Sequence, residues 1–291
     1  MDAHLAVAAA LVDRNELGQV NTTFHRLEQI LHANGFARVY QVLLRLEKVR
    51  VHGALHEFDN LFAALREARK LIEDTPQTAL QHSINAAAAR WHLEVGETAQ
   101  ARELIDTLPA GSAAHTILSA RLDLATGRPD AVKDRFEVAP PTMMRDQLTA
   151  KLLMARAAVE SGEDPAGSVR AAVELAAPEG NVRAFLDEGT TVTRLARAAA
   201  QSLGTEAGTM LSVALGSPAP SRAQRRPTAV LTDRELTILR YLPTRLTNDE
   251  IARECLLSVN TVKAHLKSIY TKLGTTSRAQ SIDRARLLGL L

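Results

Sequence analysis

An all-α fold in two helical parts follows from three features of this 291-residue sequence. Only 3% of its residues are aromatic, and alanine-rich runs such as Ala86–Ala89 and Ala198–Ala200 favour helix over strand. No continuous run of valine, isoleucine or threonine signals a sheet. Apolar helical stretches are punctuated by glycine at Gly18, Gly53, Gly96, Gly127 and Gly162, at intervals within the range of helical-hairpin repeats. These features divide the chain into a helical-repeat domain over residues 1–203, a linker over 204–230 and a four-helix domain over 231–291.

The repeat reading rests most on three stretches: ARWHLEVGETAQA, ARLDLATGRPDA and ARAAVESGEDPA. Each has an alanine-arginine start, an apolar helix, a glycine turn, an acidic or Pro-Asp step, and an alanine opening the next helix. They resemble tetratricopeptide-type repeats, whose stacked hairpins build a superhelix with a concave surface. Such a surface suits an effector or a protein partner. Trp91, the sole tryptophan, is expected in the core at a repeat interface. His52 and His56 lie four apart, yet no further Cys/His ligands stand at zinc spacing, so no metal is expected. Phosphate-loop, nucleophile-elbow and zincin patterns are all absent, which argues against catalysis and against any cofactor.

Charge is split unevenly along the chain. Residues 1–221 carry 22 Lys and Arg against 27 Asp and Glu, a net of −5; residues 222–291 carry 13 against 6, a net of +7. A basic domain is the electrostatic footprint of a polyanionic partner. Cys255 is the only cysteine, which excludes an intrachain disulfide and fits a reducing compartment. No stretch reaches transmembrane length and the early apolar run lacks a basic flank, so a cytoplasmic protein without membrane contact is expected.

The segment GSPAPSRAQRRPTAV, after Leu215, has linker chemistry. Beyond it, four N-terminal caps outline four short helices. Thr232 and Thr247 each begin a T-x-x-E capping box, Ser258 opens a third helix and Ser277 begins an S-x-x-Q box. Helix 259–273 carries Val262, Leu266, Ile269 and Leu273 as one apolar stripe. Its opposite face presents Asn260, Lys263, Ala264, Lys267 and Thr271, with no carboxylate. Gly274 stands where a left-handed cap would close it. A helix of this kind seated on a shorter one is the helix-turn-helix design, whose second helix enters the major groove of double-stranded DNA.

The text LTDRE at 231–235, LTNDEIA at 246–252, SVNTVKAHLKSIYTKLG at 258–274 and SRAQ at 277–280 resembles the LuxR-type helix-turn-helix domain of bacterial transcription regulators. With the repeats and PEGNVRAFLDEG, it is similar to the C-terminal part of the large MalT-like regulators. Those proteins usually begin with an ATP-binding module, which this chain lacks, so the chain is either a short member or a fragment of an ATP-dependent regulator. The resemblance implies that Lys263, Ala264 and Lys267 face base edges. It implies that Thr247, Asn248, Ser258, Asn260, Thr261 and Arg278 lie against phosphates. It also implies a homodimer through the fourth helix, with Ile282, Leu287 and Leu288 as the pairing candidates. RNA polymerase or another protein is a further expected partner. The competing reading is an interaction scaffold whose DNA domain binds weakly and titrates partners. Arg245 departs from the family, holding a turn position where many relatives have glycine.

Overall fold

The computed structural model of the protein describes residues 2–34, 38–74, 78–216, 231, 233–244, 246–255, 257–287 and 290–291. Among these residues the fold is entirely helical. Five antiparallel hairpins come first: α1 (Asp2–Asp13) with α2 (Leu17–Asn34), α3 (Arg38–Ala54) with α4 (Phe58–Lys70), α5 (Thr78–Val95) with α6 (Thr98–Asp106), α7 (Ala113–Ala125) with α8 (Ala131–Val138), and α9 (Met144–Ser161) with α10 (Ala166–Ala176). Three helices come next: α11 (Arg183–Asp187), α12 (Thr190–Ser202) and α13 (Glu206–Gly216). The last unit holds α14 (Asp233–Tyr241), α15 (Asn248–Glu254), α16 (Val259–Leu273) and α17 (Arg278–Leu287).

One turn geometry builds all five hairpins. The residue after the first helix takes a left-handed conformation, with φ of 61° at Asn15, 58° at His56, 82° at Gly96, 72° at Gly127 and 76° at Gly162. The next amide then reaches back five residues, Glu57 N to the His52 carbonyl and Glu97 N to the His92 carbonyl, each at 2.8 Å. This bond satisfies a carbonyl that the helix end leaves open. Gly96, Gly127 and Gly162 are turns, as their spacing predicts. Gly18 and Gly53 are not, because they lie inside α2 and α3, and Asn15 and His56 take the turn positions instead. Gly53 serves packing: a Cβ there would stand 1.8 Å from the Trp91 ring. The arrangement is compatible with tetratricopeptide-like repeats.

The cores run along the stack. Val12, Leu27 and Leu44 join α1, α2 and α3, and Leu61, Ile84 and Trp91 join α4 to α5. Ile105 and Leu118 continue into α6 and α7, and Phe136 and Leu153 into α8 and α9. Phe185, Ala196 and Leu211 close the stack on α11, α12 and α13. Residues 206–216, expected in the linker, therefore form a helix of the repeat domain. Gly208 allows this approach, since a Cβ there would lie 2.7 Å from the Ala200 carbonyl.

The hairpins curl until the first meets the segment that leads into α11. Val182 N donates to the Asp13 carbonyl at 2.9 Å and Arg14 Nε to the Glu179 carbonyl at 3.2 Å. The Asp13 carboxylate accepts from both Arg50 and Arg145. A cavity of about 410 Å³ runs through the centre, lined by α1, α3, α5, α7, α9 and α11. No described helix is long and apolar enough to cross a membrane.

Candidate nucleic-acid interface

The C-terminal unit is organised by its caps. Thr247 and Glu250 form a reciprocal capping box: the Glu250 amide donates to Thr247 Oγ1 at 3.3 Å, and the Thr247 amide to Glu250 Oε2 at 2.7 Å. Those bonds hold the Glu250 carboxyl below its ordinary range. Ser258 Oγ accepts from the Thr261 amide at 3.0 Å and so opens α16, while Gly274, at φ 69°, closes it. Ile238, Leu242, Ile251, Val262, Leu266 and Ile269 make the core beneath. Cys255 belongs to the same core, and burial pushes its thiol pKa up, as suits a small packed hydrophobe.

Three polar side chains fix the helices against each other in ways that the spacing did not predict. The T-x-x-E reading gave Glu235 a capping role, and Thr232, its partner there, lies outside the described residues. Glu235 is buried instead, accepting from Ser268 Oγ and from Lys272 Nζ, both at 2.6 Å. This clamp joins α14 to α16. Arg234 donates to the Cys255 carbonyl at 2.6 Å and so ends α15. Arg278, expected at a phosphate, donates to the carbonyls of Leu242 at 2.9 Å, Thr244 at 3.1 Å and Tyr241 at 3.3 Å. Its guanidinium caps the carboxyl end of α14.

The remaining expected DNA residues occupy two neighbouring helix ends and one helix face. Thr247 and Asn248 stand at the start of α15, and Ser258, Asn260 and Thr261 at the start of α16. Lys263, Ala264 and Lys267 come further along α16. That face is not open to solvent throughout, because the repeat domain covers it. Asn260 Nδ2 donates to the Gly96 carbonyl at 3.0 Å and Thr261 Oγ1 to Glu97 Oε1 at 2.8 Å. Lys267 lies 3.7 Å from Glu94. Ala264 is 9% exposed and joins the cluster of Phe58, Leu61, Trp91 and Val95. Lys263 and Lys267 are exposed and line a cavity left between the two parts.

His56 and His265 lie at this junction. Burial, then Lys267 and Arg183, lowers the His56 pKa to about 4. Burial lowers His265 as well, against the opposing pull of Asp59 and Glu235. His52 forms no metal pair with His56; its Nδ1 lies 2.8 Å from Glu57 Oε2. His92 and Glu97 repeat that pair at 2.7 Å in the next hairpin. Among the described residues no group of three His, Cys, Asp or Glu is placed to hold a metal ion.

On the fourth helix, Ile282 is half-buried against the domain core. The Leu287 side chain and the whole of Leu288 lie outside the described residues, as does Arg245.

Comparison with known proteins places this unit. Residues 229–285 match the family model for bacterial regulatory proteins of the luxR family. The fimbriae Z protein of Escherichia coli is 53% identical over 62 residues, which cover 21% of this chain and 30% of that protein. The HTH-type transcriptional regulator AlkS of Alcanivorax borkumensis is 38% identical over 63 residues, covering 22% of this chain and 7% of that one. The HTH-type transcriptional regulator MalT of Serratia proteamaculans is 34% identical over 61 residues, covering 21% and 7%. The chain thus spans less than a third of the length of these curated relatives. No solved structure matches it. The helix-turn-helix unit built from α14 to α17 belongs to the luxR family of bacterial regulatory proteins.

Proposed function

We propose that the protein is a transcription regulator that reads the major groove of double-stranded DNA with α16, and that the arrangement with α16 packed on the repeat domain is its closed, DNA-free state. The observation carrying this reading is the luxR-family unit, whose α16 turns a cationic face without carboxylates away from its own core. Lys263 and Lys267 suit guanine N7 and O6, and Ala264 suits a thymine methyl. Thr247, Asn248, Ser258, Asn260 and Thr261 would orient phosphates at two helix N-termini. Arg278 would act indirectly, holding α14 in place.

The same face of α16 cannot pack on α4 and α5 and enter a groove at once, so the two parts must separate before DNA binds. The repeat domain, extended to Gly216, is then the effector or protein-binding element, with RNA polymerase among its candidate partners. Two copies joined through α17, with Ile282 at the seam, would read an inverted repeat. A cytoplasmic setting goes with this reading.

A gel-shift titration across salt concentrations tests it. Lys263→Ala with Lys267→Ala should weaken binding and reduce the slope of log K against log salt by about 2 per chain. An unchanged affinity and slope would remove α16 as the reading helix and favour the scaffold alternative.

A further inference from the structure

The alanine-arginine start of the repeats has a structural counterpart. Arg50, Arg90, Arg121 and Arg156 each stand six residues before a left-handed turn residue, respectively His56, Gly96, Gly127 and Gly162. The repeat geometry therefore brings them to equivalent places on four successive inner helices, α3, α5, α7 and α9. The last three line a second cavity, of about 750 Å³, between the repeat domain and α16. Across it stand Lys263 and Lys267.

Five cations thus converge on one cavity whose carboxylates are Glu94, Asp187 and Glu188. Those three are already engaged. Glu188 is 7% exposed and holds Arg121 through both oxygens, with Arg156 at 3.9 Å. Asp187 pairs with Arg183 at 2.5 Å, and Glu94 is shared between Arg90 at 3.2 Å and Lys267 at 3.7 Å. Lys263 has no ion pair among the described residues. Closing the two parts brings like charges together, and only an added anion can balance them.

We propose that this cavity binds a small phosphorylated metabolite, whose phosphate bridges the repeat-domain arginines and the α16 lysines. Arginine forks and lysine ammonium groups are the usual partners of a phosphate dianion, and the cavity has room for an organic part beside it. Such a site exists only in the closed arrangement, since its cations come from both sides of the junction. By linkage the ligand lowers apparent DNA affinity in proportion to its saturation, about 100-fold at one hundred times its Kd. That consequence rests on the DNA-binding reading; the site itself does not.

Calorimetric titration of the full chain, without DNA, tests the site. The probes are glucose 6-phosphate and inorganic phosphate, with glucose as the neutral control. At least one phosphate probe should bind saturably and glucose should not. Arg156→Ala and Lys263→Ala, one on each side and both at accessible positions, should each weaken binding about tenfold or more. Absence of saturable phosphate binding overturns the proposal. So does equal binding of glucose, or binding that Lys263→Ala leaves unchanged, which would confine the anion to the repeat domain. Saturable, doubly sensitive binding by a protein that retains no DNA in any condition would uphold the site while removing the regulatory reading.

Discussion

Glu97 is the place to unlock α16 without altering any residue expected to touch DNA. Its carboxylate accepts from Thr261 Oγ1 at 2.8 Å and pairs with His92 at 2.7 Å, bonds that hold its pKa below the ordinary range, the His92 bond first. A hydrogen bond to a charged group contributes about 1.5–3 kcal/mol. Glu97→Ala removes that from the closed state and leaves the open state's recognition face intact. If closed molecules predominate, apparent DNA affinity should rise about tenfold to a hundredfold, at about 1.4 kcal/mol per factor of ten. The substitution also loses the His92 pair in the turn, and the neighbouring hairpin supplies the control. Glu57 makes the equivalent bond to His52 at 2.8 Å, and its hydrogen bonds stay within the repeat domain, to His52 and Asn60. Glu57→Ala should therefore cost similar stability and leave DNA affinity unchanged. Fluorescence anisotropy with labelled DNA selected from genomic fragments, compared with thermal unfolding of both variants, gives the two numbers needed. Equal DNA affinity for wild type and Glu97→Ala would refute the latch, as would an equal gain from Glu57→Ala.

Gly53→Ala should destabilise the repeat domain by roughly 1–3 kcal/mol through overpacking, because the new methyl would meet the buried Trp91 ring. Thermal unfolding and the emission of this sole tryptophan report it; an unchanged melting temperature and spectrum would contradict that packing. Acid should loosen the fold through His56. Its folded pKa of about 4 lies below the ordinary 6.5, so the unfolded chain takes up a proton first, and stability falls as pH drops from about 6.5 towards 4. The loss approaches about 1.4 kcal/mol per pH unit in that window. Asparagine tolerates the left-handed turn, so urea midpoints of His56→Asn between pH 7 and pH 5 should decline less than those of wild type, with His265 sustaining the remainder. Parallel declines would exclude His56.

Local chemistry was readable from the chain, and non-local chemistry was not. The caps at Thr247 and Ser258 and the close at Gly274 depend on side chains within a few residues of the backbone they satisfy. The turns at Gly96, Gly127 and Gly162 were legible because glycine advertises a positive φ. Asn15 and His56 adopt the same conformation with a side chain attached, which hides the turn. Residues 206–216 read as linker because two glycines and short side chains thin out the apolar pattern, although Gly208 is there for close helix contact. The Glu235–Lys272 clamp, the carbonyls around Arg278 and the seat of α16 on Gly96 and Glu97 join residues 33 to 164 positions apart. Small polar and cationic side chains on one helix face fit a DNA groove or an acidic hairpin turn equally well, and periodicity does not distinguish the two.

The join between α1 and α11 changes how a stack of hairpins should fail. An open array frays from its terminal repeats, where each unit has a single neighbour. Here Asp13 holds Arg50 and Arg145 together and its carbonyl accepts from Val182, so the first unit has a neighbour on both sides. With no loose end, breaking one junction relieves the curvature of every other. The hairpins should then loosen together, and a disturbance at the Asp13 seam is one that α16, across the circle on α4 and α5, would feel.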